Sequence, residues 1–480
     1  MKIRPKVSTN LQEFIKSQDL FGLKNLHEGV VHISFPQEIK QNIDRIKIVF
    51  ENLGVELKLY LAHKSTKNKA FIKQALKCGI GVDVASINEL ISALSSGFIG
   101  DKIEATGPKK NDFLQLALFH RCLISLDSFE ELERLIEIYQ KLGLKTQIPI
   151  LIRINNPEIV GRNVKVKDSR FGSNKEDLKK FYELIKQNNF LDFKGLHFHG
   201  DGYDPSMRAA ILEGLINILE GSFELGFRPE IINLGGSLRD QTLENYQDWS
   251  DYLESLEHKL LTNQKLPSWG NQSYGLFVNE KAKIGGKDKA LSRFYNSSFD
   301  TDLQTTLESE NQDGRILADV LNENMFNLAL EPGYAILQQT GITLVEIIEV
   351  KKAGDGRNLI VVDANLYNLG LAKMFQYISD PILISRQREI QEKIQNEKSF
   401  YALIVGNLCR EDDFLMDREV VFDKQPKSGD LLVFTNTAAY FAGFEDATPI
   451  MHPISKFLVA YKQNTNWKIT IPENYNPFEN

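Results

Sequence analysis

LYLAHKSTKNKA, residues Leu59 to Ala70, is the stretch on which the reading of this chain turns. Just upstream, Val55, Leu57, Leu59 and Leu61 alternate with other residues, the period of a strand with one apolar face. Tyr60, Ala62 and Lys64 fall on the opposite face, and the pattern fades at Ser65 and Thr66. A lysine in that position has two readings. It is a solvated side chain opening a loop, or an amine held in a cavity where it can form a Schiff base. The rest of the chain must decide between them.

Outward from this stretch, strand-like runs recur along the first two-thirds of the chain, separated by helix-like segments. After Leu57–His63 come GVDVAS (Gly81–Ser86), IEATG (Ile103–Gly107), CLISLDS (Cys122–Ser128) and IPILIRIN (Ile148–Asn155). KGLHFHG (Lys194–Gly200), EIINLGG (Glu230–Gly236) and FNLALEPG (Phe326–Gly333) complete the series. Strand–helix alternation implies parallel strands joined by helical crossovers. Eight such units predict an α/β fold, a closed (β/α)8 TIM-type barrel; an open doubly wound sheet is the alternative. Lys64, Ser86, Asp127, Arg153, His199, Gly235-Gly236 and Glu331 all lie at or just past the C-terminal edge of a run. In barrels of this kind that rim carries the active site.

After Gly333 the pattern changes to β-rich stretches such as GITLVEIIEVKK, NLIVVDANL and GDLLVFTNTAAYF. The expected organisation is a barrel over 36–334, with an insertion around 241–322, and a C-terminal, mostly antiparallel β domain over 335–480. Residues 1–35 form an N-terminal segment that could pack on the β domain. The core of the insertion mixes aromatics with glycines and reads either as a lid or as an outer packing layer. The polar run Ser385–Lys398 reads as a solvated helix or arm.

Bulk properties agree with a soluble globular protein. The 480 residues are 42% hydrophobic and 25% charged, with net charge −7 and no basic stripe, so a nucleic-acid groove is not expected. The N-terminus lacks an apolar h-region and no run reaches membrane-spanning length. Cys78, Cys122 and Cys409 give neither a disulfide framework nor zinc spacing, and no metal site is expected. The expected location is the cytoplasm.

Inside a barrel mouth, Lys64 could form an imine with an aldehyde, either of a sugar substrate or of pyridoxal phosphate (PLP). The neighbours favour PLP. Gly235-Gly236-Ser237 ends a strand without bulk, so backbone N–H groups can approach a phosphate; an ordinary tight turn has the same sequence. Glu331, on the turn with Pro332 and Gly333, can pair with a protonated pyridine nitrogen, or be a plain surface acid. His199 can lie against the ring, or be a hydrogen-bonded structural histidine.

Together these segments resemble the fold-type III PLP enzymes, the ornithine, arginine and diaminopimelate decarboxylases, with alanine racemase more distant. The resemblance runs from about Lys58 to Tyr461. YLAHKST is similar to the cofactor-lysine segment; GVDVASINEL, ATGPKK, ISLDSFEEL, LIRIN and SRFGS follow in family order. GLHFHGDG resembles the cofactor-stacking histidine region, INLGGSL the phosphate loop and LEPGYAI the glutamate turn. VGNLCREDD is similar to the segment with the family's cysteine acid, and GDLLVFTNTAAYF to the one whose tyrosine touches the phosphate. VGNLCREDDFL and FTNTAAYF resemble in particular the branch called the Y4yA-type PLP enzymes.

The resemblance implies an alanine racemase-like barrel and PLP held by Lys64, Asp83, Arg153, His199, Gly235, Gly236, Ser237, Glu331, Gly333, Tyr334 and Tyr440. It implies that an amino acid displaces Lys64, forms its own imine (the external aldimine) and loses CO2. Cys409, from the other subunit of a head-to-tail homodimer with shared sites, then returns the proton. Arg410, Glu411 and Asp413 fall where the family selects its substrate.

Three departures from the family stand out, and two of them bear on the substrate. The family commonly has an acid after the cysteine, to hold a distal amine; here Arg410 would repel one and suit an anionic or polar tail. The arginine that follows the family's glutamate turn is replaced by Tyr334. An arginine for the substrate carboxylate is missing near DANLYNLGLAKMFQY, where Lys373 stands. Diaminopimelate and ornithine are therefore not the expected substrates. The expected activity is decarboxylation of an amino acid or amino-acid conjugate in a specialised pathway. The alternatives are a PLP-dependent racemase or epimerase, and a non-catalytic homologue that binds a partner.

Overall fold

The computed structural model describes residues 2–161, 166, 168–200, 204–287, 297–369, 379–386, 399–442 and 449–479. Lys373 and residues 387–398 of the polar run lie outside them. The chain divides into two units, Ile39–Arg239 with Ser298–Ile336 and Asn476–Asn480, and Met1–Glu38 with Asp240–Ser297 and Leu337–Tyr475.

The first unit is a closed barrel of eight parallel strands. With β1 (Val31–Ser34) assigned to the other unit, the barrel strands are β2 (Leu57–Ala62), β3 (Gly81–Val84), β4 (Ile103–Ala105) and β5 (Leu123–Leu126). They continue as β6 (Ile148–Arg153), β7 (Leu191–His197), β8 (Ile231–Asn233) and β11 (Asn327–Leu330), with β11 closing onto β2 at Leu328↔Leu57. The predicted strands are thus present, though β7 starts three residues before the Lys194 boundary read from sequence. Leu191-Asp192-Phe193-Lys194 alternates apolar with polar and lacks the oily run of its neighbours.

Tyr60, Leu123, Leu151, Ile231 and Ala329 pack together from five strands. Gly195 lets β7 and β8 approach. Its φ is +148° and a Cβ there would lie 1.8 Å from the Ile231 carbonyl oxygen.

The second unit is built on a sheet of β16 (Phe414–Phe422), β15 (Phe400–Val405), β13 (Asn358–Val362), β12 (Gly341–Lys352), β1, β18 (Lys456–Gln463) and β19 (Asn466–Thr470), in that order. β17 (Leu431–Thr435) joins through β12, and β14 (Ile382–Ile384) pairs with β17. All pairings are antiparallel except β1 with β18 and β13 with β15. The expected mostly antiparallel domain is present. The N-terminal segment supplies one of its interior strands, with Val31 opposite Leu344 on one side and Lys456 on the other.

The insertion needs a correction. Residues 240–297, expected within the barrel, group with the β unit, whereas Phe299–Leu307 and Leu317–Glu323 are helices of the barrel unit. The cause is a separate apolar core. Trp249, Tyr252, Leu253 and Leu256 of one helix, with Tyr274 and Leu276, enclose Ile3. A short hairpin, β9 (Phe277–Val278) and β10 (Ile284–Gly285), follows. No helix among the described residues is long and apolar enough to cross a membrane.

Candidate active site

Strand β2 stops at Ala62, and His63–Ser65 form a single 3-10 turn. Ser65 Oγ donates to the Ala62 carbonyl at 2.6 Å and Thr66 N–H to the His63 carbonyl at 3.0 Å, which turns the chain out of the strand. The buried His63 ring anchors the turn through Ser92 Oγ at 3.0 Å. Lys64 therefore sits just past the strand, not in it, with 41% of its side chain exposed and Nζ 3.8 Å from Asp83 Oδ2. Asp83, on β3, is 1% exposed, and its Oδ1 accepts from Thr106 Oγ1.

Opposite lies a set of buried acids. Glu331, one residue beyond β11, is 2% exposed and Glu104, on β4, is 0% exposed. Asn233, at the end of β8, donates from Nδ2 to Glu331 Oε1 at 2.7 Å and to both Glu104 oxygens at 2.8 and 2.9 Å. Burial raises the Glu331 carboxyl to about 7, aided by Asp83 and opposed by the cations of Lys64 and Arg153 and the Asn233 hydrogen bond. Burial raises Glu104 well above the carboxylate range, reinforced by Glu331 and Asp83. His197, 1% exposed, lies 3.4 Å from Glu331 Oε1 through Nε2 and shares a 2.7 Å hydrogen bond with Ser125 Oγ through Nδ1. Burial, with Arg153 nearby, holds His197 well below its ordinary value, so it is neutral.

The glycine loop runs beside these acids. Gly235 has φ +68° and Ser237 φ +59°, both left-handed. A Cβ on Gly235 would stand 2.2 Å from His199 Nδ1, and one on Gly236 would stand 2.5 Å from the Glu331 carbonyl oxygen. Only bare backbone fits between the half-buried His199 and the glutamate turn. Gly236 N–H donates to His199 Nδ1 at 3.1 Å, and Gly235 N–H to Asn233 Oδ1 at 2.7 Å. Glu331 N–H closes the turn on the Gly235 carbonyl at 2.9 Å. Gly333 is buried and Tyr334 half-buried just beyond. Arg153 ends β6, 8% exposed, with its guanidinium 3.7 Å from Asp127 and over the Phe171 ring at 4.7 Å.

Donor atoms of His197, His199 and Glu331 lie within 4.8 Å of one another. That spacing follows from neighbouring strand ends. The set as a whole is an amine beside a carboxylate, a buried acid able to meet a cationic nitrogen, and a loop without side-chain bulk. These groups fit PLP: one end takes an aldehyde, the buried acid a pyridine nitrogen, and the loop a phosphate.

The remaining expected residues lie in the β unit. Cys409 is exposed on the turn between β15 and β16. Arg410 grips Asp412 in two 2.7 Å hydrogen bonds and donates to Tyr367 Oη at 3.1 Å. Asp413, expected to face substrate, is 3% exposed and accepts from Leu366 and Leu408 N–H, each at 2.8 Å. Its carboxylate closes the turn on Leu408 and ties it to the distant Leu366 segment instead. Tyr440 is half-buried in a turn, with φ +60°.

Ser86 on the rim caps the helix Ile87–Ser95, accepting from Glu89 N–H. Glu104, Asn233 and His197 were not singled out in the sequence. An acid inside IEATG, a strand hemmed in by apolar residues, was the available signal for Glu104.

Comparison with known proteins agrees with this geometry. Residues 37–268 match the model of the pyridoxal-dependent decarboxylase pyridoxal binding domain. The uncharacterized protein Y4yA of Sinorhizobium fredii is 28% identical over 428 residues, 88% of this chain and 85% of the relative. The L-glutamyl-[BtrI acyl-carrier protein] decarboxylase of Niallia circulans is 24% identical over 415 residues, covering 83% and 81%. The crystal structure of diaminopimelate decarboxylase from M. jannaschii with L-lysine superposes with a TM-score of 0.68 at 19% identity, covering 97% and 94%.

Proposed function

We propose, for a chain that belongs to the fold-type III pyridoxal-phosphate-dependent decarboxylases, that its reaction removes CO2 from an amino acid or amino-acid conjugate in a specialised pathway. The protein is a PLP-dependent carboxy-lyase. The observation that carries the reading is the convergence of Lys64, Asp83, His199, the Gly235–Ser237 loop and Glu331 on one barrel rim.

When bound, PLP supplies an aldehyde that takes up an amino group and a ring that accepts the electron pair left by CO2. We assign Lys64 Nζ to the aldehyde carbon, with Asp83 as the carboxylate that steadies its charge. Glu331 faces the ring nitrogen, where a cationic partner would draw its carboxyl into the ionised form despite burial. His199 would flank the ring. The Gly235–Ser237 loop, free of side-chain bulk, would take the phosphate, with Gly333 and Tyr334 beside it, and Arg153 holds the rim through Asp127. Cys409 of the partner subunit, in a head-to-tail homodimer, returns the proton to the substrate's α-carbon. Arg410 and Glu411, on the same exposed turn as Cys409, meet the substrate's tail, and the cation suits an anionic or polar one. A relative whose substrate is a glutamyl group on a carrier protein supports a conjugate. Three free cysteines accord with a reducing cytoplasm.

The test is the visible spectrum of the purified protein with added PLP, followed by borohydride reduction and peptide mapping. The label is expected on Lys64, and CO2 release is then screened over free and carrier-bound amino acids. Loss of optical rotation without CO2 would make the protein a racemase. Absence of any cofactor band would overturn the reading.

A further inference from the structure

Two buried acids where the chemistry of a ring nitrogen needs one is the unexplained feature of this barrel. Glu104 and Glu331 come from different strands, are almost wholly excluded from solvent, and are joined by one side chain. Asn233 is held in one orientation because its Oδ1 accepts from Gly235 N–H at 2.7 Å, which leaves Nδ2 to face both acids. An amide nitrogen carries two protons and here meets three carboxylate oxygens within 2.9 Å, so one of its hydrogens is shared. Two adjacent carboxylates in such a place cannot both be ionised, since each would be desolvated and repelled by the other.

We propose that Glu104 and Glu331, held side by side by Asn233, share one proton, and that Glu104 is a positioning residue that sets the charge Glu331 offers to the cofactor's ring nitrogen. Once Glu331 ionises, the pair carries a single negative charge, which matches one pyridinium. Asn233 also ties this charge to the glycine loop. The groups facing the pair agree. Glu331 and Asp83 on β3 press Glu104 toward its neutral form, while Lys64 and Arg153 draw Glu331 toward its ionised form. Tyr60 on β2, kept neutral by burial and by Glu104, adds no charge. His197 on β7 is neutral and adds no charge. Thr106, next outward on the Glu104 strand, donates to Asp83 and not to the pair. Two coupled acids titrate as a unit, so the observable is the pair's last proton.

This inference rests on the PLP reading for its consequence but not for the shared proton, and the experiment separates the two. In the apoprotein, infrared difference spectra against pH follow the carbonyl stretch of a neutral, water-free acid. The wild type should retain one such acid through neutral pH and lose it well above. Glu104→Gln should remove that high-pH component and leave only the titration of Glu331. Asn233→Ala, which keeps both acids and takes away the donor, should move the last loss to higher pH, and serves if Glu104→Gln fails to fold. An unchanged infrared profile in whichever variant folds overturns the shared proton. In the PLP-loaded protein, Glu104→Gln should shift the midpoint of the cofactor's pH-dependent absorbance by about one unit or more, a tenfold change in the proton equilibrium. An unshifted midpoint with the infrared component lost overturns the positioning role. A wild type that binds no PLP fails the cofactor reading instead and leaves the infrared result to decide the pair.

Discussion

Replacing Gly235 by alanine isolates the contribution of the glycine loop. The new methyl group would start 2.2 Å from His199 Nδ1, on a residue whose φ is +68°. A left-handed conformation costs an L-residue about 1–2 kcal/mol. Moving the imidazole aside breaks the Gly236 N–H to His199 Nδ1 hydrogen bond, about 1 kcal/mol more. The sum is about 2–3 kcal/mol. If the loop relaxes in the apoprotein, that cost returns when PLP requires the original geometry, and affinity falls about 30- to 150-fold. If it cannot relax, the same cost appears as lost stability. Gly226→Ala is the control, because Gly226 also has a left-handed φ, +86°, but nothing lies within 4 Å of the added Cβ. Fluorescence titration with PLP and thermal melts of both variants give the comparison. The reasoning is refuted if Gly235→Ala binds PLP as tightly as wild type and melts no lower than Gly226→Ala.

Other expectations concern the acids, the cysteine and the β unit. Glu331 has its folded-state pKa raised from 4.5 to about 7, so its contribution to apoprotein stability is present below 4.5 and is lost as pH rises through about 7. Glu331→Gln should remove that dependence, worth on the order of 3 kcal/mol between acid and neutral pH, and urea unfolding across pH measures it; equal slopes in both proteins would contradict it. Cys409→Ala should lower kcat by about a hundredfold or more if its thiol returns the proton, with the product losing stereospecific deuterium from D2O; retained stereospecificity would assign the proton elsewhere. In the β unit, Arg418 and Asp380 are paired at 2.6 Å with 2% and 3% of their side chains exposed. Asp380→Asn leaves a buried guanidinium without its anion and should cost about 3–5 kcal/mol in urea unfolding, whereas a loss below about 1 kcal/mol would mean the pair is solvated.

The barrel was legible because parallel strands buried on both faces are written as apolar runs. IPILIRIN reads directly as β6, and Lys64, His199, Gly235 and Glu331 stand out as the polar residues that end such runs. The start of β7 was harder, because Asp192 and Lys194 are half-buried and interrupt its run. The grouping of 240–297 was not legible, since it is decided by Trp249 and Tyr274 closing on Ile3, a residue some 240 positions away. Nor was the loop-closing role of Asp413, which depends on backbone donors at Leu366 and Leu408. Glu104 was visible as a letter, but its chemistry depends on Asn233 and Glu331, which arrive from other strands.

The position of β1 has a consequence for biosynthesis. This strand is synthesised before either segment it pairs with, since its parallel neighbour begins at Lys456 and its antiparallel neighbour at Gly341. Strands β2 to β8 of the barrel each emerge with a neighbour close behind, and β11 completes the ring by Leu330, so that unit can close while synthesis continues. Val31–Ser34 must wait, with Val31 and Ile33 uncovered and its backbone unpaired, until the segment from Lys456 has been translated. Slow codons or a stalled ribosome between residues 341 and 456 would therefore expose this strand longest. A nascent chain arrested before residue 456 should be protected from protease over the barrel and cut within its first 38 residues.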